Sequence, residues 1–127
     1  MIAEQPAVSK TSILIVDDDL SLLDALESAL KQAGHREVVA LAAFADARRA
    51  LHTDRFDVLI TDVRLGAFNG LQLVVLARDQ NPGIQLIVFS GFDDPVLRQE
   101  AERLGAVYLV KPVTSRQLLE LISTRAT

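Results

Sequence analysis

The sequence predicts an α/β fold: a doubly wound parallel sheet with helices on both faces. Three observations carry that prediction. Apolar runs at Ser12-Ile13-Leu14-Ile15-Val16, Phe56-Asp57-Val58-Leu59-Ile60-Thr61, Ile84-Gln85-Leu86-Ile87-Val88-Phe89 and Ala106-Val107-Tyr108-Leu109-Val110 are nearly continuous, as strands buried on both faces are. The segments between them repeat leucine and alanine at helical spacing. Strand and helix alternate five times, and right-handed crossovers then leave only a few parallel topologies.

The elements follow in order. Residues 1–10 contain Pro6 and no apolar stretch of signal-peptide type, and read as a disordered lead; residues 11–124 form one domain. After the first strand, Leu22, Leu23, Leu26, Ala29 and Leu30 mark a helix, with Asp19 or Ser21 as its cap and Gly34 as its stop. Glu37 to Ala42 is a short second strand, and Ala45 to His52 a second helix with Ala47, Ala50 and Leu51 inward. Asp62 ends the third strand. Residues 64–69 read as a loop closed by Gly70, and Leu71 to Gln80 as a helix stopped by Asn81-Pro82-Gly83. Asp93-Asp94-Pro95 opens a helix that runs to Leu104, since proline suits the first helical position. Lys111-Pro112 ends the fifth strand, with a peptide bond that invites a cis form aiming the lysine inward. Thr114 or Ser115 caps a last helix through Ile122.

Composition bounds the function. One domain of 127 residues is long enough for a single core, and 50% apolar residues are too many for a disordered chain. A net charge of −4 offers no basic surface for nucleic acid. Without cysteine there are no disulfides, thiolate metal sites or cysteine nucleophiles. No apolar run approaches the roughly 20 residues that cross a bilayer, so the expectation is a soluble cytoplasmic protein.

The strand ends carry the chemistry. Ligand sites in such sheets lie beyond the carboxyl ends of the strands. There the chain places Asp17-Asp18-Asp19, Asp62, Ser90-Gly91 and Lys111-Pro112. Carboxylates this close repel by several kcal/mol at an effective dielectric near ~20, so they need a cation or retained protons. An all-oxygen set without histidine or cysteine favours Mg²⁺, with Mn²⁺ as its substitute, over zinc or copper. Asp62 is a candidate nucleophile for a phosphoryl group, Lys111 a point charge for a phosphate oxygen, and Ser90 a hydrogen-bond partner for one. Asp19 reads instead as a helix cap. His35 and His52 read as surface residues away from the site. There is no glycine-rich phosphate loop, dinucleotide fingerprint or nucleophile elbow.

With Ile13-Leu14-Ile15-Val16-Asp17-Asp18-Asp19, Leu59-Ile60-Thr61-Asp62, Ser90-Gly91 and Tyr108-Leu109-Val110-Lys111-Pro112 in this order and spacing, residues 11–124 strongly resemble the receiver domain of two-component response regulators. The resemblance implies a flavodoxin-like (βα)5 three-layer sandwich with strand order 2-1-3-4-5. It implies that a histidine kinase or histidine phosphotransfer protein phosphorylates Asp62. Asp17, Asp18 and Asp62 hold Mg²⁺ with the backbone carbonyl of Arg64. Ser90 and Tyr108 form a switch that alters the face made by the fourth helix, fifth strand and fifth helix. That face would serve a downstream partner, a homodimer or an effector domain. The first helix, with Leu20, Ser21 and Leu23, would dock the kinase. Such a domain is not an enzyme in its own right; it assists only its own phosphorylation and dephosphorylation.

The sequence departs from the family pattern in a few places. Gly66 stands where a proline is common, which would loosen the loop. Val113 replaces an aromatic residue common after Lys-Pro, which would loosen the fifth-helix face. Arg64 and Phe92 flank the site as expected modulators of phosphate lifetime. Two other readings compete. A receiver-like docking scaffold would never take up phosphate, and a small Mg²⁺-dependent phosphatase would need an acid-base group that the chain lacks. The chain ends at Thr127 soon after the last expected helix, so the expectation is either a stand-alone receiver or part of a longer regulator.

Overall fold

The computed structural model describes residues 9–126. The chain runs β1 (Ser9–Val16), α1 (Leu20–Gln32), β2 (His35–Leu41), α2 (Phe44–Thr53), β3 (Val58–Asp62), β4 (Arg64–Leu65) and β5 (Phe68–Asn69). It continues through α3 (Leu71–Gln80), β6 (Gln85–Ser90), α4 (Pro95–Arg103), β7 (Val107–Val110) and α5 (Ser115–Ala126). Five parallel strands pair in the order β2-β1-β3-β6-β7. Since β4 and β5 lie outside this sheet, its order along the chain is the expected 2-1-3-4-5.

Successive residues of each strand face opposite sides, and both sides are covered. Ile13, Ile15, Ile60, Ile87 and Phe89 pack with Leu26, Leu30, Leu118 and Ile122 of α1 and α5. Leu14, Val16, Leu59, Leu86 and Val88 pack with Ala47, Leu51, Leu73, Val74 and Ala101 of α2, α3 and α4. This double burial is why the strands lack polar alternation. Val113 is buried among the α1–α5 group.

Local chemistry sets the helix ends. Asp19 Oδ1 accepts the Ser21 and Leu22 N–H groups at the start of α1, and Gly34, at φ 102°, follows its end. Asp94 Oδ1 accepts from Val96 and Leu97 N–H, with Pro95 in the first turn of α4. At α5 the Thr114 hydroxyl accepts the Gln117 N–H while Gln117 Oε1 accepts the Thr114 N–H, a reciprocal capping box. The Lys111–Pro112 peptide is cis. Among the described residues, no helix is long and apolar enough to cross a membrane.

Three expectations need correction. Residues 64–69 are not a loop but an antiparallel hairpin, with Arg64 opposite Asn69 and Leu65 opposite Phe68. Gly66 has φ 61° and Ala67 an ordinary negative φ, as a two-residue turn with glycine first requires. His35 is buried, not on the surface: it opens β2 beside β1, and its Nδ1 has no hydrogen-bond partner. Finally, β1 begins at Ser9, so the last two residues of the expected lead, Ser9 and Lys10, belong to the strand. Residues 1–8, the rest of that lead, lie outside the described residues.

Candidate functional site

Strand register assembles the site. Val16 pairs with Thr61, Thr61 with Val88, Asp62 with Phe89, and Ser90 with Val110. Asp17 and Asp62 therefore leave adjacent strands at the same level, while Ser90 leaves the next strand one step further on and Lys111 leaves the edge strand one step beyond Ser90. Asp17 is fully enclosed and Asp62 is buried, because the sheet's centre lies under them. Ser90 is buried at the end of β6, and its Oγ accepts the Phe92 N–H at 3.3 Å. Asp18 is exposed.

One carboxylate oxygen from each of Asp17, Asp18 and Asp62 lies within 4.8 Å of the others. Lys111 Nζ reaches Asp62 Oδ2 at 2.9 Å and Asp17 Oδ2 at 3.0 Å. The first contact is an aligned hydrogen bond. The second is an ion pair only, since Asp17 Oδ2 lacks a hydrogen bond of good geometry. Backbone groups take other oxygens: Asp19 N–H donates to Asp17 Oδ1 at 2.8 Å, Arg64 N–H to Asp62 Oδ1 at 3.2 Å, and Gly66 N–H to Asp18 Oδ2 at 3.2 Å. Gly70 closes the acceptor hairpin from the other side. A β-carbon there would collide with the Asp62 carbonyl and crowd Thr61 Oγ1, so only glycine fits.

The electrostatics are uneven. Burial pushes the Asp17 carboxyl up; the Asp19 N–H and Lys111 pull it down, but the net is above its ordinary value. Burial pulls the Lys111 ammonium down, yet its close contacts and charge interactions with Asp62 and Asp17 together hold it above its ordinary value. The pair thus secures the charge of Lys111 more than that of Asp17, because Asp17 alone is cut off from water. Three ionised carboxylates against one ammonium leave two negative charges uncompensated. A poorly satisfied buried oxygen in an all-oxygen set of this spacing fits a hard divalent cation with room for waters.

The structure brings together Asp17, Asp18, Asp62 and Lys111, and the register sets Ser90 on the strand beside Asp62. Asp19 is the cap expected of it. Tyr108 is buried with its hydroxyl donating to the Phe92 carbonyl at 2.7 Å. Phe92 is 67% exposed, and the Arg64 guanidinium lies 5.9 Å from its ring centre. The two expected lifetime residues therefore touch each other, and the Arg64 N–H is the one that reaches Asp62. On α1, Leu20 is 67% exposed and Ser21 is exposed, but Leu23 faces the core and does not belong to a docking face. Sequence reasoning missed the Asp18–Gly66 bond and the stacked Phe44 and Phe68 rings, 4.6 Å apart, that brace the hairpin against α2. Glycine at the first place of a two-residue turn was the available signal for the hairpin.

Residues 13–123 match the response regulator receiver domain family. The chain is 35% identical over 115 residues to the response regulator protein FleR of Pseudomonas aeruginosa, covering 90% of this chain and 24% of that protein. It thus spans about a quarter of that relative's length. A receiver domain protein from Methanospirillum hungatei superposes with a TM-score of 0.85 at 30% identity, over 92% of this chain and 94% of that one. A Burkholderia pseudomallei response regulator, solved with a phosphorylated aspartic acid, calcium ion and citrate, superposes with a TM-score of 0.79 at 25% identity, over 87% and 65% of the two chains.

Proposed function

The chain belongs to the response regulator receiver domain family, and from that membership we propose that Asp62 accepts a phosphoryl group from a histidine kinase or histidine phosphotransfer protein. The observation that carries this reading is the Lys111–Asp62 contact of 2.9 Å inside the three-carboxylate cluster. In the transfer, an oxygen of the Asp62 carboxylate forms a bond to phosphorus as the donor's nitrogen–phosphorus bond breaks. The electron pair returns to the imidazole nitrogen. Hydrolysis later returns the carboxylate and releases inorganic phosphate.

The residues have distinct roles. Asp17, Asp18 and Asp62, with the Arg64 carbonyl, would hold Mg²⁺, which when bound supplies charge neutralisation to the phosphoryl oxygens. Lys111 stays charged at neutral pH and is positioned to neutralise a further phosphoryl oxygen. Ser90 offers its hydroxyl to the added group. Its movement, with that of Tyr108, biases the α4–β7–α5 face toward a partner, a second copy or an effector domain. In the Burkholderia pseudomallei relative an aspartic acid is phosphorylated and calcium is present, which supports the same chemistry here.

Incubation with Mg²⁺ and acetyl phosphate should add the mass of one phosphoryl group to the chain, and Asp62→Ala should gain none. No mass gain in the native chain would favour the docking scaffold, and turnover of external phosphoesters would favour the phosphatase. We further propose that Arg64 and Phe92 set the lifetime of the phosphorylated state by shielding it from water, as their mutual contact supports. Replacing both with alanine should change the hydrolysis rate, measured by loss of the phosphorylated mass after donor removal. An unchanged rate would remove them from the mechanism.

A further inference from the structure

Tyr108 lies on β7 under α4, and a side chain of α4 closes over it. The guanidinium carbon of Arg98 sits 4.7 Å from the centre of the Tyr108 ring. Its Nη1 approaches the Tyr108 carbonyl at 3.5 Å. Its Nε and Nη2 donate to the same oxygen, Asp93 Oδ1, at 3.2 and 2.9 Å. One planar group thus holds a ring face, an edge-strand carbonyl and a carboxylate just before α4. A lysine has neither the fork nor the flat face to do all three. The contacts extend further: Tyr108 donates to the Phe92 carbonyl, and the Phe92 ring meets Arg64, two residues after Asp62.

We infer that Arg98 is a positioning residue that clamps Tyr108 inward before any phosphoryl group arrives. The inference rests on the proposed switch role of Tyr108 and deepens it. With the clamp closed, Tyr108 cannot swing out without giving up the Arg98 stack and the bond to Phe92. α4, the edge strand and the loop after Ser90 are thereby tied to the same side chain. The clamp presets the switch to its inward arrangement, and Asp93 holds the clamp in register.

The composition supplies the probe. Tyr108 is the single tyrosine and there is no tryptophan, so tyrosine fluorescence reports on Tyr108 alone. The experiment measures acrylamide quenching of native chain, Arg98→Gln, Arg98→Lys and Asp93→Asn, all without phosphodonor, with circular dichroism to verify folding. The native tyrosine should be well shielded. In Arg98→Gln the outward population should rise roughly two- to fivefold, the scale of an exposed cation–π contact. Arg98→Lys should resemble Arg98→Gln, and Asp93→Asn should fall between Arg98→Gln and native. Equal quenching in native chain and Arg98→Gln would overturn the inference. If Arg98→Gln does not fold, unchanged quenching in Asp93→Asn would overturn it instead. No phosphoryl step enters this measurement, so its failure is distinct from the failure of Asp62 to gain mass.

Discussion

Lys111→Met will slow phosphoryl uptake by Asp62 roughly 10²- to 10³-fold, the scale of losing one preorganised donor aimed at developing negative charge. It will also lower stability in the absence of divalent cation by about 2–4 kcal/mol, somewhat under the cost of breaking a fully buried pair, because the Lys111 side chain keeps 24% of its exposure. The cause is the same in both measurements. Lys111 offsets part of the charge on Asp62 and Asp17, and methionine leaves both carboxylates facing each other. Because the folded-state pKa of Lys111 is raised, its stabilisation is fully present below its ordinary value near 10.5 and is lost only as pH rises through the higher folded value. The stability loss should therefore be constant through neutral pH. It should shrink on adding Mg²⁺, which replaces the missing positive charge. Rates of mass gain and urea unfolding with and without Mg²⁺ measure the two effects. A variant as fast as the native chain would remove Lys111 from the chemistry.

The second large effect has the opposite sign. Asp17→Asn will stabilise the metal-free chain by on the order of 1 kcal/mol, because an enclosed and incompletely matched charge disappears. Asparagine keeps an oxygen for the Asp19 N–H, so the turn into α1 survives. The pH dependence follows from the raised folded pKa of Asp17. Above that value the ionised carboxylate burdens the native state; as pH falls through it toward the ordinary 3.8, the folded chain takes up the proton first and the burden lifts. The advantage of the variant should hold at neutral pH and vanish on acidification. Mg²⁺ reverses the comparison. At 100 times its dissociation constant a bound ion adds about 2.7 kcal/mol to the native chain, and the variant should forfeit most of that. Thermal unfolding with EDTA and then with Mg²⁺ tests this directly. Equal gains from Mg²⁺ in both chains would place the cation elsewhere.

Much of this arrangement was legible in the residues. Four apolar runs ending in Asp17, Asp62, Ser90 and Lys111 sufficed to predict a convergent site, because parallel strands in register bring their carboxyl ends to one level. Asp19 was legible as a cap since its neighbours in sequence are also its partners. The parts that escaped depend on contacts across the chain. His35 is buried because β1 lies beside it, which its local sequence does not reveal. Leu23 reads as part of a docking face from its place near the site, yet its helical spacing with Leu26 and Leu30 places it in the core. The hairpin at 64–69 was hidden by reading Gly66 as freedom rather than as a turn requirement. Arg98 escaped altogether: it is an ordinary charged residue on an exposed helix until α4 packs over Tyr108.

Formation of an acyl phosphate on Asp62 is directly measurable. Borohydride reduces acyl phosphates to alcohols, so treating the chain after Mg²⁺ and acetyl phosphate, then sequencing its peptides by mass, locates the modified carboxylate. Homoserine is expected at position 62, with unaltered aspartates at 17, 18 and 19. Reduction at another carboxylate, or none in a chain that has gained the phosphoryl mass, would contradict it.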